Sequence, residues 1–284
     1  MIKENAVRNQ LNCSNSVLDL ATPQVMGILN VTPDSFSDGG KFANFEPALA
    51  QVQRMITDGA SIIDIGGEST RPGAVEVSEA DELARVIPVL KAIKERFNVL
   101  VSIDTSKAKV MSAAIAAGAD IINDVRALQN DGCIAAIANS NIPVCLMHMQ
   151  GLPRTMQNGP SYDDVINEII VFFQQRIEAC INAGIARERI ILDPGFGFGK
   201  TLEQNFHLLA HLSKFLLLDL PILAGMSRKS MIGNLLNRDV EQRLAGSIST
   251  AIIAAQQGAH IIRVHDVQET VDALTILKAV TDNR

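Results

Sequence analysis

Eight short runs of apolar, largely β-branched residues recur along the 284-residue chain, and they constrain the fold more than any other feature. They are VMGILN (25–30), SIIDIG (61–66), VLVSID (99–104), DIINDV (120–125), PVCLMH (143–148), RIILDPG (189–195), PILAGM (221–226) and HIIRVH (260–265). Each is continuously rather than alternately hydrophobic, which is the pattern of strands buried on both faces of a parallel sheet. Between them lie segments of helical period at 45–58, 78–96, 106–117, 161–183, 202–218, 240–257 and 266–281, with a shorter one at 130–139. Gly59, Gly118 and Gly184 stand where three of these helices should stop. Ser78 with Asp81 three residues on has the spacing of a capping box, with Asp in place of the preferred Glu. Strand–helix alternation repeated eight times predicts an α/β fold, a (β/α)8 TIM barrel with a short N-terminal extension; a doubly wound sheet is the alternative. Residues 1–24 form that extension, as a cap or small hairpin over the barrel bottom, and residues 25–284 form one barrel domain. No linker or shift in composition divides them.

Charge and composition narrow the partners. There are 31 acidic and 25 basic side chains, net charge -6, and no Lys/Arg block of five or more. That balance argues against nucleic acid, whose binders carry a basic face. No apolar stretch approaches the roughly 18 residues needed to cross a bilayer, and MIKENAVRNQLNCSNS lacks the apolar core of a signal peptide. The expectation is a soluble, cytoplasmic protein with no membrane partner. Cys13, Cys133, Cys145 and Cys180 form no CxxC pair and no metal-ligand spacing, so they read as buried or inert thiols.

In a (β/α)8 barrel the C-terminal ends of the strands and the loops after them form the active face. Here every run finishes in functional groups. Asn30 precedes VTPDSFSDGG, the second run leads into GGESTRPGA, and Asp104 is followed by Thr105, Ser106 and Lys107. Asn123 with Asp124, Met147 with His148, Asp193 before PGFGFGK, Met226 before SRKS, and Arg263 with His265 complete the set. One Asp or Asn at a strand exit is often only the N-cap of the next helix; polar groups at all eight exits exceed what capping requires. Asp104, Asn123 and Asp193 each follow an apolar residue and should point into the barrel mouth. A buried carboxylate without a partner is costly, and a ligand rich in N–H groups would supply one. Arg263 alone reads as readily as a salt-bridge partner, but His265 two residues on shares its strand face. GFGFG (195–199) has neither spacing of the phosphate-binding glycine motifs. His148 reads as a group that orients the barrel mouth rather than as a base.

These segments, taken in order, resemble the signatures of the dihydropteroate synthase family of pterin-binding enzymes. The matching stretches are MGILNVTPDSFSDGGKF (26–42), IIDIGGESTRPGA (62–74), IDTSK (103–107), IINDV (121–125), MHMQG (147–151), PRTMQ (153–157), LDPGFGFGKT (192–201), SRKSMIG (227–233) and RVHDV (263–267). Leu152 and Ala108 depart from the usual pattern at positions away from the proposed chemistry. The resemblance implies condensation of 6-hydroxymethyl-7,8-dihydropterin diphosphate with 4-aminobenzoate, giving 7,8-dihydropteroate and pyrophosphate. It also implies a Mg2+ cofactor, a homodimer, and competition by sulfonamides for the aminobenzoate site.

Residue by residue, the resemblance places Asp193, Asn123, Asp104 and Lys229 around the pterin ring, with Met147 and Phe198 as apolar walls and Gly225 allowing close approach. Asp104, Lys229 and Asp38 are the implied catalytic residues. Thr70, Arg263 and His265 fall to the diphosphate, and Asn30 to the metal. Phe36 and Pro72 would sandwich the aminobenzoate ring, Ser230 and Ser227 would hold its carboxylate, and Arg71 would tie together the loops 31–44 and 67–76. For Asp38 and Arg71 a loop-internal salt bridge remains the alternative.

Overall fold

The computed structural model describes residues 9–14, 16–31, 45–69, 76–151, 156 and 159–283. An antiparallel pair, β1 (Gln10–Cys13) and β2 (Ser16–Asp19), comes first. The apolar runs then form β3 (Gln24–Asn30), β4 (Ile62–Gly66), β5 (Leu100–Asp104), β6 (Ile121–Asp124), β7 (Val144–Met147), β8 (Ile190–Asp193), β9 (Leu223–Ala224) and β10 (Ile261–Val264). These eight are parallel neighbours in the order β8-β7-β6-β5-β4-β3-β10-β9. A parallel bridge between Leu192 and Ile222 joins the two ends, with the Leu192 N–H donating to the Pro221 carbonyl at 2.9 Å. The sheet is therefore a closed barrel. Around it run α1 (Glu46–Thr57), α2 (Glu79–Arg96), α3 (Ala108–Ala116), α4 (Cys133–Ala138), α5 (Val165–Asn182), α6 (Leu202–Ala210), α7 (Ser230–Leu236), α8 (Leu244–Gln256) and α9 (Val267–Thr281).

Side chains alternate across each strand, and the sequence uses the two faces differently. Outward residues such as Ile63, Ile65, Val101, Ile103, Ile122, Val144, Leu146 and Leu192 pack beneath the helices. Inward, Met26, Ile62, Ile121, Cys145, Ile191, Leu223 and Ile261 form one apolar layer with Leu11, Cys13, Leu18 and Leu20 of the β1–β2 hairpin. The hairpin thus closes the N-terminal end of the barrel with hydrocarbon. Two residues further along the same strands, a rise of about 7 Å, the inward positions become Asp64, Asn123, Asp193 and Arg263 beside Ile28, Met147 and Gly225. Polar groups thus enter the interior within one pleat, toward the C-terminal mouth.

Helix ends follow local chemistry. Ser78 accepts the Asp81 N–H at 3.1 Å, but its hydroxyl also donates to the Asp81 carboxylate at 2.6 Å. The pair is a cap without the reciprocal bond of a full capping box, because the Asp side chain turns to the hydroxyl instead. α1, α3 and α5 stop at Gly59, Gly118 and Gly184, with φ of +98°, +95° and +92°. The segment 202–218 is not one helix: α6 ends at Ala210 and a 3-10 stretch, Leu212–Leu218, follows. Likewise 240–257 begins as a 3-10 turn, Val240–Gln242, before α8. The seven-residue α7 is too short to show a period in sequence. All four cysteines are free and buried, and no helix among the described residues is long and apolar enough to cross a membrane.

Leu11 is 1% exposed in the apolar layer that plugs the barrel. Leu11→Ala should cost about 2–4 kcal/mol through lost burial and an unfilled cavity, read as a lower urea midpoint with unchanged slope; an unchanged midpoint would show that the hairpin adds nothing to the barrel.

Candidate active site

One half of the mouth is built on an ion-pair network across β4, β5, β6 and β10. The Arg263 guanidinium donates through Nε to Asp64 at 2.6 Å and through Nη2 to Asp104 at 3.0 Å. Asn123 Nδ2 donates to the same Asp64 oxygen at 3.3 Å. Two carboxylates, Asp64 fully buried and Asp104 nearly so, thus share one guanidinium. Burial pushes Asp104 well above the ordinary carboxylate range; Arg263 opposes that rise and the charge on Asp64 adds to it. Burial would lower the Arg263 guanidinium, but Asp64 and Asp104 more than offset it and hold it raised. The other oxygen of Asp64 and the Ser102 hydroxyl, partners in the β4–β5 register, are buried without a hydrogen-bond partner among the described residues. Such orphaned polar atoms are rare in folded proteins and mark this interior as a place where donors are wanted.

The other half is built on β7, β8 and the turn 194–199. Asp193 ends β8, and one of its carboxylate oxygens accepts the Gly195 N–H at 2.8 Å. Burial raises its pKa, while the charge of Lys229 and the Gly195 N–H bring it down. Lys229 donates to the Phe196 carbonyl at 2.5 Å, and its ammonium lies 4.6 Å from the centre of the Phe198 ring. Burial pushes Lys229 down to about 8 against the pull of Asp193. Met147 and Phe198 pack together with Val125, Met149 and Met156, so an apolar wall faces the charged groups. Gly225 is buried at the end of β9, where a Cβ would lie 3.6 Å from that of Arg263.

Around the rim, Asn30 is exposed at the end of β3. Its amide oxygen lies 3.7 Å from where a Cβ would stand on Gly66. Among the described residues no group of three or more His, Cys, Asp or Glu could hold a metal. A single hard oxygen on an open rim nevertheless suits Mg2+, which keeps waters and takes its remaining ligands from substrate phosphates. Ser227 accepts the His265 N–H at 3.1 Å and lies 3.1 Å from His265 Nδ1, which ties β9 to β10. Its hydroxyl is therefore committed to His265, whereas Ser230, the first residue of α7, is exposed. Phe36, Asp38, Thr70, Arg71 and Pro72 lie outside the described residues.

A family model for pterin binding enzymes matches residues 26–265. The dihydropteroate synthase of Escherichia coli (strain K12) is 56% identical over 270 residues, covering 95% of this chain and 96% of that protein. The chain belongs to the dihydropteroate synthase family. Among solved structures, Yersinia pestis dihydropteroate synthase in a sulfonamide drug complex superposes with a TM-score of 0.92 at 57% identity, over 96% of this chain and 99% of that one. Xanthomonas albilineans dihydropteroate synthase in complex with 7,8-dihydropteroate gives 0.86 at 44% identity, over 96% and 98%.

Within this dihydropteroate synthase fold the residues singled out from sequence do converge. Asp104, Asn123, Met147, Asp193, Phe198, Gly225, Lys229, Arg263 and His265 all belong to one end of the barrel. Two others, Asp64 and Lys200, escaped the sequence reading. Asp64 is fully buried at the centre of the Arg263 network; its signal was an acid in the middle of the apolar run SIIDIG. Lys200 is 2% exposed behind the 194–199 turn. Lys107 pairs with Glu68 and, at 2.5 Å, with the buried Glu82, so it braces the rim rather than facing the mouth. The network makes a direct prediction. Arg263→Met leaves Asp64 and Asp104 buried and uncompensated, at a cost of about 3–5 kcal/mol near neutral pH. Because Asp104, already raised by burial, would lose the Arg263 charge that holds it down, the folded state takes up a proton at higher pH than the unfolded one, and the deficit should shrink as pH falls. Unfolding midpoints at pH 8 and pH 5 read both effects; equal deficits at the two values would count against the network.

Proposed function

We propose that this chain is a dihydropteroate synthase, joining 6-hydroxymethyl-7,8-dihydropterin diphosphate to 4-aminobenzoate. The observation that carries the reading is the convergence of three carboxylates, an amide, a lysine and an arginine on one barrel mouth beside the Met147–Phe198 wall. A pterin is a flat bicycle with an N–H-rich, guanidine-like edge and an amide-like carbonyl. Asp193 accepts from that edge with the oxygen not used by Gly195, and a carboxylate facing two N–H donors binds in register. Asn123 spends one N–H on Asp64 and keeps its carbonyl and a second N–H for the mixed amide edge. Lys229 donates to the pterin carbonyl and ring nitrogen.

In the reaction the aminobenzoate nitrogen forms a bond to the pterin methylene. The methylene C–O bond breaks with its electron pair going to the diphosphate, and the nitrogen sheds a proton. Positive charge develops at the methylene as the bond loosens, and Asp104, with Asp38 from the 31–44 loop, favours it electrostatically. Arg263, His265 and Thr70 receive the departing diphosphate. Mg2+ held through Asn30 supplies charge neutralisation on that leaving group when bound. Phe36, Pro72 and Arg71 shape the aminobenzoate slot, into which sulfonamides would compete, and Ser230 holds the carboxylate, with Ser227 beside it fastened to His265.

The same reading places the protein in the cytoplasm, divides it into a 24-residue extension and a barrel domain, and makes it a homodimer. Support for the dimer comes from exposed Leu235, Leu236 and Val240 on and just after α7, apolar side chains that an interface would cover. Sedimentation at micromolar concentration should give twice the 30.6 kDa chain mass, and a monomer would remove that part of the reading.

The activity is tested by pyrophosphate release with both substrates and Mg2+, then with each omitted. Release that needs both substrates is the expected result; release with neither or no release at all would defeat the assignment. Asp193→Asn turns an acceptor into a donor facing donors, and binding of the pterin diphosphate should weaken by about 10- to 100-fold; unchanged affinity would free Asp193 from this role.

A further inference from the structure

Lys200 takes no part in the chemistry just described, yet it is the most thoroughly buried cation in the described structure. Its ammonium donates to the Gly195 carbonyl at 2.8 Å, to the Phe198 carbonyl at 3.1 Å, and meets His148 Nδ1 at 3.1 Å. These three acceptors belong to the turn that carries the pterin-facing groups and to the end of the neighbouring strand. The ammonium has three donors and no acceptor, which matches the two carbonyls and an unprotonated His148 Nδ1. Burial, with Lys200 nearby, pushes the His148 imidazole down to about 2, in agreement. Burial, with the charge of Lys229, pulls Lys200 down to about 7 against the opposing charge of Asp193.

The turn is shaped for this convergence. Gly195 has φ +72°, and a Cβ there would lie 1.8 Å from the His148 carbonyl oxygen, so β7 and the turn meet backbone to backbone. From the far side, Asn205 accepts the Gly197 N–H at 2.6 Å and donates to the Lys200 carbonyl at 3.2 Å. Tyr162 donates to the Gly199 carbonyl at 2.8 Å. A capping box between Thr201 and Gln204 then starts α6 directly after Lys200. Between these fixed points the turn presents two things to the mouth: the Phe196 carbonyl that holds Lys229, and the Phe198 ring beneath the same ammonium.

We propose that Lys200 is a positioning residue for pterin recognition: its buried ammonium gathers the Gly195 and Phe198 carbonyls and His148, and so holds the turn in the shape that sets Lys229 and Phe198 against Asp193. Lys200 acts through the backbone and touches no substrate. Its positive charge has a second consequence, since it favours the ionised form of Asp193, the form that accepts from the pterin edge. The proposal rests on the reading of this mouth as the pterin pocket.

The test separates the two substrates. In Lys200→Met the KM and Kd for 6-hydroxymethyl-7,8-dihydropterin diphosphate should rise about 10- to 100-fold, the range that misplacement of a binding group by about 1 Å produces. The KM for 4-aminobenzoate, measured at saturating pterin diphosphate, should stay within about twofold. Lys200→Gln, whose amide keeps two N–H donors, should fall between wild type and Lys200→Met; it serves as the primary variant if Lys200→Met does not fold. A folded variant with wild-type pterin affinity overturns the proposal. So does an equal rise in both KM values, which is the mark of general damage rather than of positioning. Failure of the wild-type chain to release pyrophosphate with both substrates would instead defeat the pterin-pocket reading, so the two failures are distinguishable.

Discussion

Arg263 bridging Asp64 and Asp104 is the interaction on which the mouth of this barrel depends. Asp64 and Asp104 lie 199 and 159 positions from Arg263 in sequence, and the three come together because β10, β3, β4 and β5 are consecutive staves of one closed sheet. Placing two carboxylates in a barrel interior is costly unless a cation joins them. The guanidinium serves both because its planar fork presents several N–H groups at once. What the arrangement leaves behind is acceptor capacity: one Asp64 oxygen without a hydrogen-bond partner among the described residues. A pocket so constituted is complementary to a heterocycle with several N–H donors, and it disfavours anions except where Arg263 and Lys229 reach outward.

The opposite wall meets a different requirement. Asp193, Lys229 and the Phe198 ring must be held at fixed spacing, yet the chain between Asp193 and Lys200 forms no ladder with a neighbouring strand. Its carbonyls and N–H groups turn instead to side chains: Gly195 and Phe198 to Lys200, Gly197 to Asn205, Gly199 to Tyr162. Every buried backbone group must find a partner, and here the partners are themselves buried and capped into α6. A loop made this way has the fixity of regular structure, which suits a surface that must match a rigid ring.

Much of this could be read from the sequence, for identifiable reasons. Continuous β-branched runs separated by helix-period segments have few solutions, and the eight strands and the barrel followed from them. Asp104, Asn123 and Asp193 were legible because an inward polar residue at the end of an apolar run breaks the hydrophobic pattern where a mouth should be. Asp64 broke the same pattern two positions earlier in the register, inside a run, and an isolated acid there is indistinguishable from a strand with a buried pair until its partner is known. That partner lies at residue 263, and no local signal connects them. Lys200 was hidden for the opposite reason. A lysine after a glycine-rich loop reads as a solvated side chain, and only the fold shows that three acceptors converge on it. The break after Ala210 was also hidden, because Leu212–Leu218 continues an apolar pattern that either helix type satisfies.

The Arg263 network also bears on how one residue can serve both the ring and the diphosphate. A guanidinium carries five N–H donors. Asp64 takes the one on Nε and Asp104 takes one on Nη2. The second N–H of Nη2 and both on Nη1 remain, as do the two flat faces. Because the two carboxylates fix the plane, the remaining donors and faces are fixed as well: the fork cannot swing toward a phosphate without abandoning Asp64 or Asp104. In the proposed role toward the diphosphate, Arg263 would therefore be preorganised rather than induced, its ordering cost met in folding rather than on binding. His265 follows the same logic at one remove, since Ser227 grips both its backbone N–H and its ring nitrogen. In the proposed reaction both groups that would meet the diphosphate are thus held by partners from other strands before either substrate arrives.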